Sequence, residues 1–252
     1  MRITVLGKSP SWPDAGGACS GYLVENGDTC LLLDCGSGVL AQLRRVRAYD
    51  DIDAVVVSHM HSDHFADLVP YGCALMLGPR EQRPPRMPLL LPPGGWDAVL
   101  AAADAGGTGE LVKGAFHSRA YDVAERERVG SLELRFQPVP HFVPTNAVAV
   151  TPAAGGGRFV FGADHRPTDA LCGFADDCDL LMLEATLSEA GPEPRGHMTA
   201  GEAGEHAARV RAKRLVLTHI SDELDADAAL IAAQEAYDGP VELAQAGATY
   251  VV

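Results

Sequence analysis

Short apolar runs alternate along the chain with longer amphipathic stretches, and this alternation predicts an α/β protein. Residues 2–6, 20–25 and 29–34 are aliphatic or β-branched and bounded by Gly or Asp, the pattern of strands. Apolar positions 39, 40, 43 and 46 recur with the helical period and predict a helix over 38–49. An apolar strand over 54–58 follows, then a helix over 65–77. The Pro- and Gly-rich segment 79–97 predicts a loop around a short strand at 89–91. Short helices are expected at 98–104 and 109–116. A second strand group covers 131–139, 146–151 and 158–163, with Gly155-Gly156-Gly157 as a hairpin turn. A phosphate-binding loop would need a helix directly after those glycines, and a strand pattern follows instead. Strand 179–184, helix 199–212, strand 214–218, helix 225–236 and strands 241–245 and 248–252 complete the chain. Periodicity alone takes the fold no further than two strand groups, each followed by helices.

Composition narrows the class. A chain of 252 residues with 47% hydrophobic and 21% charged content is expected to form one globular domain over 1–252. No apolar run approaches the roughly 20 residues that span a bilayer, and the first residues lack a basic stretch followed by an apolar one. The six cysteines form no C-x-x-C pair or regular framework, which predicts reduced core thiols and a cytoplasmic location. Twenty basic residues against 34 acidic ones give a net charge of −14. That balance opposes long nucleic acids, which are held by lysine and arginine displacing phosphate counterions. The basic clusters at Arg44, Arg45 and Arg47, at Arg80, Arg83 and Arg86, and at Arg209 to Arg214 read as solvated faces. A small-molecule substrate and no membrane partner are the expectation.

The chemistry concentrates in His59-Met60-His61-Ser62-Asp63-His64, directly after an apolar run. Neutral imidazoles and carboxylates are ligands for divalent transition metals. Four donors on so short a peptide cannot all reach one ion. The spacing instead suits two adjacent ions, with His59 and His61 turned to one and Asp63 and His64 to the other. As a packing device such a cluster would be costly, because buried ionisable groups need compensation.

The H-x-H-x-D-H pattern resembles the metallo-β-lactamase superfamily. So do the opening Arg2 to Gly7 and the segment Leu31 to Gly36, which ends in an Asp-x-Gly turn. The resemblance implies a four-layer αββα sandwich and three further ligands at strand ends, with candidates His141, Asp164 and His219. It also implies a division of labour: His59, His61 and His141 on one ion, Asp63, His64 and His219 on the other, and Asp164 bridging. Two divalent ions would be the cofactors, zinc first, with manganese or iron as alternatives. Asp34 is expected either to bond a ligand imidazole or to cap the Gly36–Gly38 turn.

Glu184-Ala185-Thr186 and His197-Met198-Thr199-Ala200 are similar to the ribonuclease Z branch, with Met198 where that branch has serine. This implies Asp63, His197 and Glu184 as catalytic residues, His197 serving the scissile phosphate and Glu184 orienting it. Thr199 with Glu202 forms a capping-box pattern. Ribonuclease Z carries an arm for transfer RNA between the positions of His141 and Asp164, and the stretch 142–163 is too short for one. The chain is therefore more similar to short actinobacterial relatives that include cyclic-nucleotide phosphodiesterases. They share segments like Gly21-Tyr22-Leu23, Leu217 to Ile220 and Tyr237 to Val241.

The leading expectation is a dimetal phosphodiesterase of a small phosphodiester such as a cyclic nucleotide. Behind it stand a lactone, ester or lactam hydrolase on the same centre, a ribonuclease Z-like endonuclease, and a non-catalytic metal-binding accessory protein. Homodimerisation is expected from the ribonuclease Z likeness. His165, where relatives have threonine, could serve as a donor behind a ligand, touch substrate or lie exposed. Trp12 and Phe142 could stack on a base or pack in the core or in a lid.

Overall fold

A computed structural model describes residues 1–192 and 194–252. Two mixed sheets of seven strands form its centre. The first contains β1 (Arg2–Gly7), β2 (Gly21–Asn26), β3 (Thr29–Leu33), β4 (Ala54–Val56), β5 (Met87–Leu91) and β6 (Phe116–Ala120), and the final strand β14 (Thr249–Val251) pairs antiparallel with β1. The second contains β7 (Glu127–Val129), β8 (Leu132–Val139), β9 (Thr145–Pro152), β10 (Phe159–Phe161), β11 (Leu180–Glu184), β12 (Leu215–Thr218) and β13 (Val241–Leu243), in that order.

Three apolar clusters tie the layers together. Between the sheets, Leu31, Leu33, Val56, Phe136, Val148, Phe159 and Phe161 interdigitate. Outside the first sheet, Leu32 and Val55 pack on α1 (Val39–Val46), α3 (Leu68–Leu77), α4 (Gly95–Ala105) and α5 (Gly109–Ala115). Outside the second, Leu181 and Leu217 pack on α6 (Ala200–Arg209) and α7 (Ala226–Ala236). This is the αββα sandwich that the resemblance implies. Strand β3 shows why its sequence is apolar throughout. Leu31 and Leu33 face one core while Cys30 and Leu32 face the other, so both sides are buried.

Several elements differ from the sequence expectation. The helix expected over 65–77 starts only at Leu68, as α3, and a separate short helix before it, α2 (Ser62–Phe65), carries Asp63 and His64. The expected helix 109–116 ends at Ala115, and Phe116 begins β6, which along with β7 was not foreseen. Helix α4 starts at Gly95, inside the expected loop. The turn at Gly155–Gly157 joins antiparallel β9 and β10. All six cysteines are free, yet only Cys19, Cys30, Cys35 and Cys178 are buried; Cys73 is half-buried and Cys172 exposed. Among the described residues, no helix is long and apolar enough to cross a membrane.

Candidate metal centre

Chemistry gathers at one edge of the sandwich, where parallel strands end. The turn after β4 carries His59, His61, Asp63 and His64. His141 follows β8, Asp164 follows β10, Glu184 closes β11 and His219 follows β12. Three non-glycine residues here adopt left-handed backbone: Asp34 (φ 59°), Ala163 (φ 55°) and His219 (φ 50°). Such geometry costs about 1–3 kcal/mol per residue and collects at functional sites. Gly36 is fixed by proximity, since a Cβ there would lie 1.8 Å from the Asp63 carbonyl oxygen.

Two donor groups form, sharing Asp164. His59, His61, His141 and Asp164 make one; Asp63, His64, His219 and Asp164 make the other; within each, the donor atoms lie within 4.8 Å of one another. Individual separations are 3.3 Å for His59 Nε2 to His61 Nδ1 and 3.0 Å for His141 Nε2 to His61 Nδ1. In the second group His219 Nε2 is 3.1 Å from Asp63 Oδ2, and His64 Nε2 is 3.5 Å from it. Nε2 of His219, His64, His59 and His141 surround Asp164 Oδ2 at 3.2, 3.4, 3.7 and 4.0 Å.

These spacings fit metal ligation. Tetrahedral ligands about 2.0–2.1 Å from a zinc ion sit about 3.4 Å apart along the tetrahedral edge. Both Asp164 carboxylate oxygens and His64 Nε2 are buried without a hydrogen-bond partner among the described residues. A buried carboxylate whose oxygens lack hydrogen-bond donors is costly, and a cation lowers that cost. The donor chemistry, the spacing and the orphaned atoms therefore all suit divalent ions.

Electrostatics follow from this crowding. Burial pushes His59 well below the ordinary imidazole value, reinforced by the neighbouring His64, and lowers His141 to about 4. His64 is pulled the other way against its burial, by Asp164 and Asp34, and lies well above that value. Asp164 is held well below the usual carboxylate range: burial opposes this, but the His219 and His64 imidazoles outweigh it.

Behind the cluster, every imidazole of the two donor groups except His61 has a defined neighbour at its far nitrogen. His64 Nδ1 donates to Asp34 Oδ2 at 2.7 Å, so Asp34 bonds a candidate ligand instead of capping the Gly36–Gly38 turn. His141 Nδ1 donates to the Gly196 carbonyl at 2.7 Å. His61 alone presents Nδ1 to the site.

Glu184 and His197 form a second constellation beside the first. The fully buried Glu184 carboxylate accepts from His197 Nδ1 at 3.0 Å, from the His165 backbone N–H at 2.7 Å, from Thr186 Oγ1 at 2.7 Å and from the Met198 N–H at 3.2 Å. The His197 ring stacks on His219 with centroids 5.5 Å apart and meets His141 edge-on at 4.9 Å. Burial lowers its basicity, but the Glu184 hydrogen bond and charge prevail and hold His197 above its ordinary pKa. The capping box is formed, with Thr199 and Glu202 exchanging bonds and Arg195 forking onto Glu202 at 2.8 and 2.5 Å.

Three residues left open by the sequence are now placed. His165 is fully buried, its Nδ1 donating to the Arg166 carbonyl at 2.9 Å, so it is neither exposed nor at the surface of the site. Phe142 is 63% exposed yet lies against His141 and His197, at centroid distances of 5.2 and 6.2 Å. Trp12 is 52% exposed, which rules out a core role. Sequence reasoning gave no role to Ser58 or Thr186. Their signal is positional: each is a hydroxyl residue within two positions of a candidate ligand or carboxylate.

Residues 29–220 match the family described as "Beta-lactamase superfamily domain". Over 248 residues the chain is 32% identical to the probable metallo-hydrolase YhfI of Bacillus subtilis (strain 168), covering 98% of each chain. It is also 32% identical, over 302 aligned positions, to the ribonuclease Z of Myxococcus xanthus (strain DK1622), covering 99% of this chain and 97% of that one. That alignment exceeds the 252 residues of this chain, so the ribonuclease carries inserted sequence absent here. The crystal structure of the metallo-beta-lactamase fold protein YhfI from Bacillus subtilis superposes with a TM-score of 0.85 at 29% identity, over 99% of this chain and 98% of that one.

Proposed function

The chain belongs to the β-lactamase superfamily and is a metal-dependent hydrolase, and from that premise we propose that it is a dimetal phosphodiesterase acting on a small phosphodiester such as a cyclic nucleotide. The observation that carries this reading is the Glu184–His197 pair: an imidazole held above its ordinary pKa and stacked against the donor cluster. His59, His61 and His141 would hold one ion, Asp63, His64 and His219 the other, and Asp164 both. Bound there, divalent ions, zinc first by ligand type, would neutralise phosphoryl charge and acidify water.

The residues supply the remainder. Hydrolysis joins a water oxygen to phosphorus and breaks the bond to the leaving alkoxide, which must be protonated. His197, with Nδ1 engaged by Glu184, has Nε2 left to deliver that proton. Glu184 balances the positive charge that the ring carries before it gives up that proton, and fixes its plane. Asp63 belongs both to the ligand set and to the catalytic set. Gly196 brings its carbonyl to His141 immediately before His197, so one loop supports a ligand and the proton donor.

An RNA substrate is disfavoured by the charge of −14 and by residues 142–163, which are taken up by β9, its turn and β10. An accessory protein without turnover does not fit a chain that matches named metallo-hydrolases along its length. The test uses purified protein of measured metal content. Hydrolysis of bis-p-nitrophenyl phosphate and of 2′,3′- or 3′,5′-cyclic nucleotides is expected. Protein with two metal equivalents that leaves all of these intact, and opens lactones instead, would replace this reading with the carbon-ester one.

A further inference from the structure

Two side-chain hydroxyls occupy matching places behind the two donor groups. Ser58 Oγ lies 2.8 Å from Asp34 Oδ2 and 3.1 Å from His59 Nδ1. Thr186 Oγ1 lies 2.7 Å from Glu184 Oε2 and 2.8 Å from His219 Nδ1, and also 2.9 Å from the His219 carbonyl oxygen. Asp34 and Glu184 are both fully buried, one at the close of the first sheet's β3 and the other at the end of β11.

The direction of these hydrogen bonds follows from counting protons. A hydroxyl has one hydrogen to give and lone pairs to receive. Thr186 faces two oxygens, a carboxylate and a carbonyl, that can only accept. Its hydrogen goes to one of them, most strongly to the charged Glu184 carboxylate. A lone pair therefore faces His219 Nδ1, which must carry the hydrogen between them. The opposite arrangement would set the hydroxyl oxygen against two buried acceptors with no proton between them. Ser58 repeats the pattern with one acceptor, since its hydrogen goes to Asp34 and His59 Nδ1 donates to its oxygen.

A neutral imidazole carries one ring hydrogen, so fixing it on Nδ1 leaves Nε2 as a lone pair. Nε2 of both histidines faces Asp164 Oδ2, at 3.7 Å from His59 and 3.2 Å from His219. We propose that Ser58 and Thr186 are positioning residues: their hydroxyls relay Asp34 and Glu184 to His59 and His219, locking both rings in the Nδ1–H tautomer with Nε2 directed at the metal site. The proposal rests on the metal-binding reading and not on the identity of the substrate. It also makes Glu184 serve two imidazoles, His197 directly and His219 through Thr186.

Long-range proton–nitrogen NMR of the metal-free, full-length protein with labelled histidine reports each tautomer, at a pH of about 8.5 where ordinary imidazoles are neutral. In the wild type, Nδ1 of His59 and of His219 is expected to carry a hydrogen. Thr186→Val should give mixed tautomers at His219 and weaken metal binding about 10- to 100-fold in a chelator competition, the usual effect of losing a partner behind a metal ligand. Ser58→Ala should do the same at His59. Thr186→Ser and Ser58→Thr, which keep the hydroxyl, should restore both readouts. A merely structural role would lower the melting temperature without changing tautomer or affinity. If valine prevents folding, Thr186→Ala replaces it, and the wild-type spectrum decides on its own. An Nδ1 without hydrogen at either histidine in the wild type, or Thr186→Val with unchanged tautomer and affinity, overturns the proposal. No substrate enters these measurements, so failure of the phosphodiester reading would leave them unaffected.

Discussion

At the scale of single residues, Asp164 and Ala163 carry opposite kinds of cost. Asp164 is a buried carboxylate whose oxygens have no hydrogen-bond partner among the described residues. Asp164→Asn should therefore reduce bound metal to near background, as read by elemental analysis. It should leave the chelated protein no less stable than chelated wild type. Ala163 holds left-handed backbone at φ 55°, a conformation that glycine adopts without strain. Ala163→Gly should relieve that strain and raise stability by up to about 1 kcal/mol in a thermal melt. The candidate-ligand cluster was legible because histidine and aspartate at that density have few other uses. The hydroxyl relays were not, because Ser58 and Thr186 gain meaning only when a carboxylate distant in sequence is folded against them.

At the scale of elements, the capped start of α6 holds the loop that carries His197. Glu202 closes the capping box and binds Arg195. Burial raises its carboxyl pKa, but Arg195 and the Thr199 hydrogen bonds outweigh that and bring it below the ordinary value. A carboxyl with a lowered folded-state pKa stabilises the protein above its unfolded value, and that contribution fades as pH falls through the folded one. Glu202→Gln should therefore melt earlier than wild type near pH 7, with the gap closing on acidification below the normal glutamate range. A gap that stayed constant across that range would point to packing instead. Elements with a continuous apolar run, such as β3 and β12, and a helix with a clear start signal, such as α6, were legible in the sequence. Strands β6 and β7 were not, because each lies at a sheet edge and is largely polar, Phe116–Ala120 having only its first residue buried. An edge strand with one neighbour needs little apolar alternation, and Phe116 reads equally well as the end of a helix.

At the scale of the whole molecule, the site is assembled from the ends of both sheets. His59 to His64 belong to the first; His141, Asp164, Glu184 and His219 belong to the second. Ligand binding across that junction should couple metal to global stability. Removing metal with a chelator is expected to lower the melting temperature by an amount that grows with the logarithm of the metal affinity, and adding metal back should restore it. The order of the candidate ligands along the chain was legible through resemblance to a known family. Their convergence comes from parallel strands that end at the same edge, which no local pattern encodes. The central claim is that His197, held by Glu184, protonates the leaving oxygen of a phosphodiester. The direct measurement is kcat for wild type and His197→Ala, both at equal metal content, on a cyclic nucleotide and on bis-p-nitrophenyl phosphate. A poor alkoxide leaving group needs the proton and p-nitrophenolate does not. The variant should thus lose about 10²- to 10⁴-fold on the cyclic nucleotide and far less on the nitrophenyl ester. Equal losses on both substrates, or none on either, would contradict the account.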